Sequence, residues 1–370
     1  MQPPTTRRQA PLAVAATALT VALLGASCTD GTASDRTAEE STGSDTAAPE
    51  LSTTELQALT RLDDQGPGCD ALDTTRCLLP FPSDTYTVSD DSGTSSVSSE
   101  KGTGRTVAFV EKNMPANADD VHIDPTEWNR NDGFSPNTPI LTYFPNVDLE
   151  RSATPTEGEL SVSMSADSPS VLFDLTDGKQ IPHWVEVDQR AEDPAERLTI
   201  MRPAVSLPEG HHFAVAYRDL LDERGRAIPP SAAFRAIRDG LDLDEVDVSA
   251  GAKATLGERS DELAPVLDQL DEAGVDTAGL IVAWDFTVAS TSSLSGRLLS
   301  MRNAALKATE KQPVVVKVTG TEENPTKLPK GIGRKVTGTF ALPLFLKGKG
   351  EPGSPMTYDK DGTTPKATGT

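Results

Sequence analysis

The sequence is poor in the side chains that most often carry chemistry. Aromatic residues make up 5% of its 370 positions, there are 4 His and 3 Cys, and neither C-x-x-C nor H-E-x-x-H occurs. Zinc ribbons, zincin-type active sites and haem-rich chains are thereby excluded, and any metal site would have to be built from carboxylates. G-x-S-x-G is missing too, and no His follows His212. A serine hydrolase of the α/β type needs a nucleophile on a tight elbow, followed along the chain by an acid and then a His. These residues contain no such triad, so no catalytic residue, cofactor site or metal site is assigned. Positive charge is scarce as well: 34 Lys and Arg face 56 Asp and Glu, a net charge of −22. Such a surface repels phosphate backbones, which excludes nucleic acid as a partner.

What is present begins with an export signal over residues 1–28. Arg7 and Arg8 form a positive n-region, and Ala13 to Ala26 form an apolar stretch too short for a permanent membrane span. The run Leu24-Gly25-Ala26-Ser27-Cys28 resembles a bacterial lipobox, with Gly25 where that motif usually has Leu or Val. The resemblance implies lipidation of Cys28 and a protein tethered through it to the outer face of the cytoplasmic membrane or to the cell envelope. Residues 29–64 are rich in Thr, Ser, Ala, Asp and Glu, a composition that buries too little apolar surface to offset its ordering entropy. They are expected to form a disordered acidic tether. Cys69 and Cys77 are then the two thiols left in an exported chain, and they are expected to pair. A loop this short contributes about 2 to 3 kcal/mol if unstrained.

Gly and Pro, 28 of each, point to many turns and short strands and exclude a long all-helical protein. Short β-type runs recur at Leu160–Met164, Val171–Leu175, His183–Val187, Leu198–Met201 and His212–Tyr217, separated by turn signals. That spacing predicts a sandwich. His211 and His212 fall at a strand start, where successive side chains point to opposite faces, so they cannot chelate one ion together and are expected at the surface. Helices are predicted over Ser231–Asp239 and Leu256–Ala273, with Gly274 as a stop, and from Ser292 or Ser293 onward. Leu280–Val288 reads as a buried strand containing one carboxylate, Asp285, expected to accept bonds from backbone or Arg groups. Strands at Val314–Thr319 and Lys335–Leu346 follow. In the polar loop from Asp124 to Pro136, Trp128 and Phe134 are expected to pack it onto a sheet. Asp124, Glu127 and Asp132 lack the D-x-D-x-D-G regularity of a calcium loop.

Four stretches in order, Cys77-Leu78-Leu79-Pro80-Phe81-Pro82-Ser83-Asp84, Asp124-Pro125-Thr126-Glu127-Trp128-Asn129-Arg130-Asn131-Asp132-Gly133-Phe134-Ser135-Pro136, Leu280-Ile281-Val282-Ala283-Trp284-Asp285-Phe286-Thr287-Val288-Ala289-Ser290 and Gly338-Thr339-Phe340 to Leu346, resemble the non-catalytic N-terminal region of large secreted bacterial α/β-hydrolase or lipase-like lipoproteins. The resemblance spans roughly residues 66–360 and implies a mainly β, α+β chain with interspersed helices. Its expected parts are a β-rich segment at 65–150, an Ig-like sandwich at 151–240, a helix and strand segment at 241–346 leading to a hydrolase domain absent from this chain, and an irregular end at 347–370. The function implied is anchoring and positioning of that catalytic domain, with no enzyme activity in these 370 residues. The alternative is a free-standing surface lipoprotein that binds glycan or protein.

Overall fold

The computed structural model of the chain describes residues 50–90, 102–311, 314–360, 362 and 364–369. The export signal, Cys28 and the tether up to residue 49 lie outside the described residues. In chain order the elements are α1 (Thr53–Leu59), β1 (Thr87–Ser89), β2 (Arg105–Val107), β3 (Ile140–Thr142), β4 (Ser170–Asp174), β5 (Lys179–Gln180), β6 (His183–Val187), β7 (Thr199–Pro203), β8 (His212–Arg218), α2 (Ala232–Arg238), α3 (Ala250–Glu272), β9 (Leu280–Thr287), α4 (Thr291–Lys311), β10 (Lys317–Glu323) and β11 (Arg334–Thr339). The chain is of the α+β class. Among the described residues, no helix is long and apolar enough to cross a membrane.

Two antiparallel sheets make the body, one in the order β3-β7-β6 and one in the order β5-β4-β8-β9. A single apolar core joins them, with Ile140, Val185 and Met201 from the first and Leu172, Val215 and Phe286 from the second. The strands predicted within 151–240 thus recruit β3 and β9 from outside that range. β9 is buried along its whole length and pairs with β8, Ala214 opposite Asp285 and His212 opposite Thr287. Alternation then sorts the side chains by face. Phe213 stacks on Phe286 at 5.5 Å and Tyr217 on Trp284 at 6.3 Å on the face toward β3, where Phe144 meets Tyr217 edge-on. The opposite face carries His212, Ala214, Ala216, Ala283, Asp285 and Thr287, and α3 covers it.

Several expectations are corrected here. The tether ends earlier than residue 64: Ser52 and Glu55 form a capping box at the start of α1, and Leu59 and Leu62 are buried with Ala233 and Leu256. Leu160–Met164 is a 3-10 turn rather than a strand. Its buried member is Ser163, whose hydroxyl donates to the Leu160 carbonyl at 2.6 Å, while Met164 is exposed. α3 starts six residues ahead of Leu256 because Ser249 caps it, its Oγ accepting from Ala252 N–H at 3.0 Å. Gly274 stands just past α3 with φ +84°, the left-handed conformation that ends helices.

Candidate functional site

Cys69 and Cys77 form a disulfide, with Cα atoms 4.4 Å apart. The loop it closes presents Asp70, which is fully buried and takes two bonds from Arg259 of α3: Nε donates to Oδ1 and Nη2 to Oδ2, each at 3.1 Å. Leu72 N–H and the Ser83 hydroxyl also donate to Asp70. From there the chain runs through Pro80, Phe81 and Pro82, both X-Pro bonds being cis. Phe81 exchanges two backbone bonds with Leu141 beside β3, and the Pro82 carbonyl accepts from Trp284 Nε1–H at 2.8 Å. Asp84 accepts from the Thr287 N–H at 2.9 Å and hydroxyl at 2.6 Å, and pairs with Arg105 at 2.8 Å.

The second string closes on the same place. Asp132 is fully buried and accepts from the Ser290 N–H at 3.0 Å and hydroxyl at 2.6 Å, while Ser290 Oγ itself accepts from Ser293 N–H as the cap of α4. A carboxylate at a helix N-terminus is favoured by the helix dipole. Phe134 N–H donates to the Thr287 carbonyl, and Ala289 N–H donates to the Phe134 carbonyl. Three of the four stretches that carry the family resemblance therefore meet at the end of β9, where the chain turns into α4; the fourth, Gly338 to Leu346, starts at the end of β11.

At the centre lies a network of carboxylates with one imidazole and two guanidinium groups. His212 Nε2 bonds Asp285 Oδ2 at 2.8 Å and stands 3.7 Å from Asp84 Oδ2, and Asp285 Oδ1 lies 3.7 Å from Arg259 Nη1. Burial pushes the Asp84 carboxyl up and the Asp285 charge adds to this, against Arg105 and Thr287. Burial acts the same way on Asp285, but the His212 bond and the Arg259 charge outweigh it and hold it below the usual range. Burial would depress His212, yet its bond to Asp285 and the charges of Asp285 and Asp84 raise it overall.

The expectation that His211 and His212 are surface residues is corrected. Both are partly buried against carboxylates on opposite faces of β8, His211 Nδ1 bonding Asp174 Oδ2 at 2.9 Å. Among the described residues, two groups have ligand atoms close enough to share an ion, Asp84 with His212 and Asp285, and Asp174 with Asp177 and His211. In the first, the Arg105 and Arg259 guanidinium groups already supply positive charge. In the second, Lys179 bonds Asp177 at 2.9 Å, and Asp174 Oδ1 takes the N–H groups of Thr176 and Asp177. Asp124, Glu127 and Asp132 have separate partners: Thr126, Tyr358 with Arg130, and Ser290. Phe134 packs as expected; Trp128 does not, being 46% exposed.

A serine–histidine pair escaped the sequence reading. Ser170 Oγ–H donates to His183 Nε2 at 2.8 Å, and His183 Nδ1–H donates to the Ile181 carbonyl at 2.9 Å. Burial lowers His183 to about 4, so the ring is neutral and accepts well. Both residues are inaccessible, and a carbonyl stands where a catalytic triad has its acid, so the pair joins β4 to β6. No family model matches the chain, and no curated protein or solved structure matches it.

The raised His212 makes a pH prediction. Its contribution to stability is fully present below the unfolded-state value, near 6.5, and is lost as pH rises through the higher folded value. The urea midpoint should therefore fall as pH climbs above about 6.5, and His212→Gln should flatten that slope. An unchanged slope in the variant would mean that another group titrates there.

Proposed function

We propose that this chain is the non-catalytic, envelope-anchored part of a hydrolase lipoprotein, holding a catalytic domain that follows it. The observation that carries this reading is a set of exposed apolar side chains along the chain after β9. Leu298 of α4 is 66% exposed, and Val315, Val318, Val336 and Phe340 in and beside the β10–β11 hairpin are 57 to 81% exposed. Every residue of the two strands is exposed. A lone two-stranded ribbon is at best marginally stable in water, and contiguous apolar patches mark interfaces. Charge supports the same division: residues 291–370 hold 13 Lys and Arg against 6 Asp and Glu, reversing the sign of the preceding chain.

The carboxylates paired at the junction suit positioning, because Asp84 ties the Cys77–Asp84 segment to β9 and Asp132 caps the exit of α4. The paired three- and four-stranded sheets are the support for reading the body as Ig-like. Anchoring through acylated Cys28, on the outer face of the membrane, belongs to the same proposal. The test is to compare the 370-residue chain with the product of the uninterrupted reading frame. Hydrolysis of a short-chain nitrophenyl ester should be confined to the longer product, where the β10–β11 amides should exchange at least tenfold more slowly. Robust turnover by the 370-residue chain, or a natural stop after Thr370, would refute the proposal.

A further inference from the structure

A groove of about 920 Å³ opens on the side of the molecule formed by the Cys77–Phe81 segment, the Val107–Pro115 segment and the first turns of α4. This lies within the roughly 300 to 1,000 Å³ of ligand clefts. Its walls are Leu79, Phe81, Phe109, Met114 and Phe134, the three Phe rings touching one another at 5.7 to 6.3 Å. Trp128 and Leu294 also line it and are 46% and 42% exposed, so its rim is apolar as well. Aliphatic, thioether and ring carbons without a row of polar partners suit a flexible hydrocarbon chain.

Charge identifies the head of the occupant. In a protein of net charge −22, no carboxylate lines the groove among the described residues, and both of its charged residues are arginines, Arg76 and Arg297. Arg297 is held in place by Nη1 donating to Asn131 Oδ1 at 3.1 Å and Nη2 to the Arg130 carbonyl at 2.5 Å, yet its buried Nε has no acceptor. A guanidinium lining an apolar groove offers an arriving anion a charge-assisted bond. Arg76 lies flat over the Tyr143 ring, 3.5 Å from its centroid, with one bond to Thr75.

We infer that this groove binds a single-chain anionic amphiphile, the hydrocarbon chain lying along the Phe81–Phe109–Phe134 wall and the carboxylate or phosphate head meeting Arg297. The inference does not depend on a catalytic domain. Titration calorimetry of the 370-residue protein with palmitate, a hexadecyl-chain lysophosphatidate and uncharged hexadecanol, each kept below its aggregation limit, tests it. One anion or both should bind saturably, one per chain and at least tenfold more tightly than hexadecanol. Binding of palmitate alone assigns free fatty acid as the source, and preference for lysophosphatidate assigns a membrane lipid. Leu294→Glu should weaken anion binding tenfold or more. Trp128→Ala, also at the exposed rim, serves as a second variant if the first melts early. Arg297→Gln should erase the preference over hexadecanol. No saturable binding of either anion, equal affinity for hexadecanol, or rim variants that bind like the parent would overturn the inference and leave the groove to a protein segment.

Discussion

Arg259→Met should cost about 3 to 5 kcal/mol of stability, the loss that follows when one partner of a buried ion pair is removed. The guanidinium is almost wholly buried and forms a fork-to-fork pair with Asp70, which has no exposure at all. Its third nitrogen bonds Glu262 at 3.0 Å and faces Asp285 at 3.7 Å. Methionine fills much of the volume but leaves Asp70 as an uncompensated charge in the interior and Asp285 with His212 alone. Against a total of about 5 to 15 kcal/mol for an ordinary domain, such a loss is large. The defect should shrink as the medium is acidified, because protonation removes the stranded charges. Asp70→Asn combined with Arg259→Met should regain part of the loss, since the carboxamide still accepts from Leu72 N–H and Ser83. Urea unfolding decides the matter. A loss under about 1 kcal/mol would show that water reaches the pair and screens it.

This network also marks the border of what can be read from sequence. β8, β9 and α2 were legible because each signal is local: an apolar run, a Ser cap, a turn on either side. Asp285 was legible as a lone carboxylate in a buried strand, but its hydrogen bond comes from His212 rather than from backbone or Arg groups, and Arg259 is a charge partner at 3.7 Å without a bond. That partner could have been found, because Arg259 falls on the stripe Leu256, Leu263, Val266, Leu270, the buried face of α3. The place of His212 could not, since it shares a face with Asp285 only through the register of two strands 73 residues apart along the chain. α1 was hidden by the composition around it, although Ser52 and Glu55 carry a capping box. At Leu160–Met164 the apolar alternation imitated a strand; Ser163 supplies the buried contact there and the apolar side chains lie at the rim. The stretches that suggested a family were ordinary in residue type, and the meeting of three of them at one junction is a property of the fold.

Gly133→Ala should be strongly damaging, with a loss of about 3 kcal/mol, the upper end of ordinary overpacking costs. A Cβ at this position would lie 2.7 Å from Ala289 N, 2.7 Å from the Thr287 carbonyl oxygen and 2.9 Å from Ala289 Cα. All three are backbone atoms, so no side chain can rotate out of the way. The requirement for glycine is close approach, since its φ is not in the left-handed region. Relief would push residues 132–134 away from β9, lengthening the two bonds between Phe134 and the Thr287 and Ala289 backbone and drawing Asp132 off the cap of α4. Hydrogen exchange should therefore rise in the first turn of α4 as well as at Phe134, while the Ser170–His183 pair keeps its protection. Equal loss of protection in both regions would mean the substitution unfolds the body as a whole; an undisturbed α4 would show that Asp132 does not govern how the helix leaves the sheet.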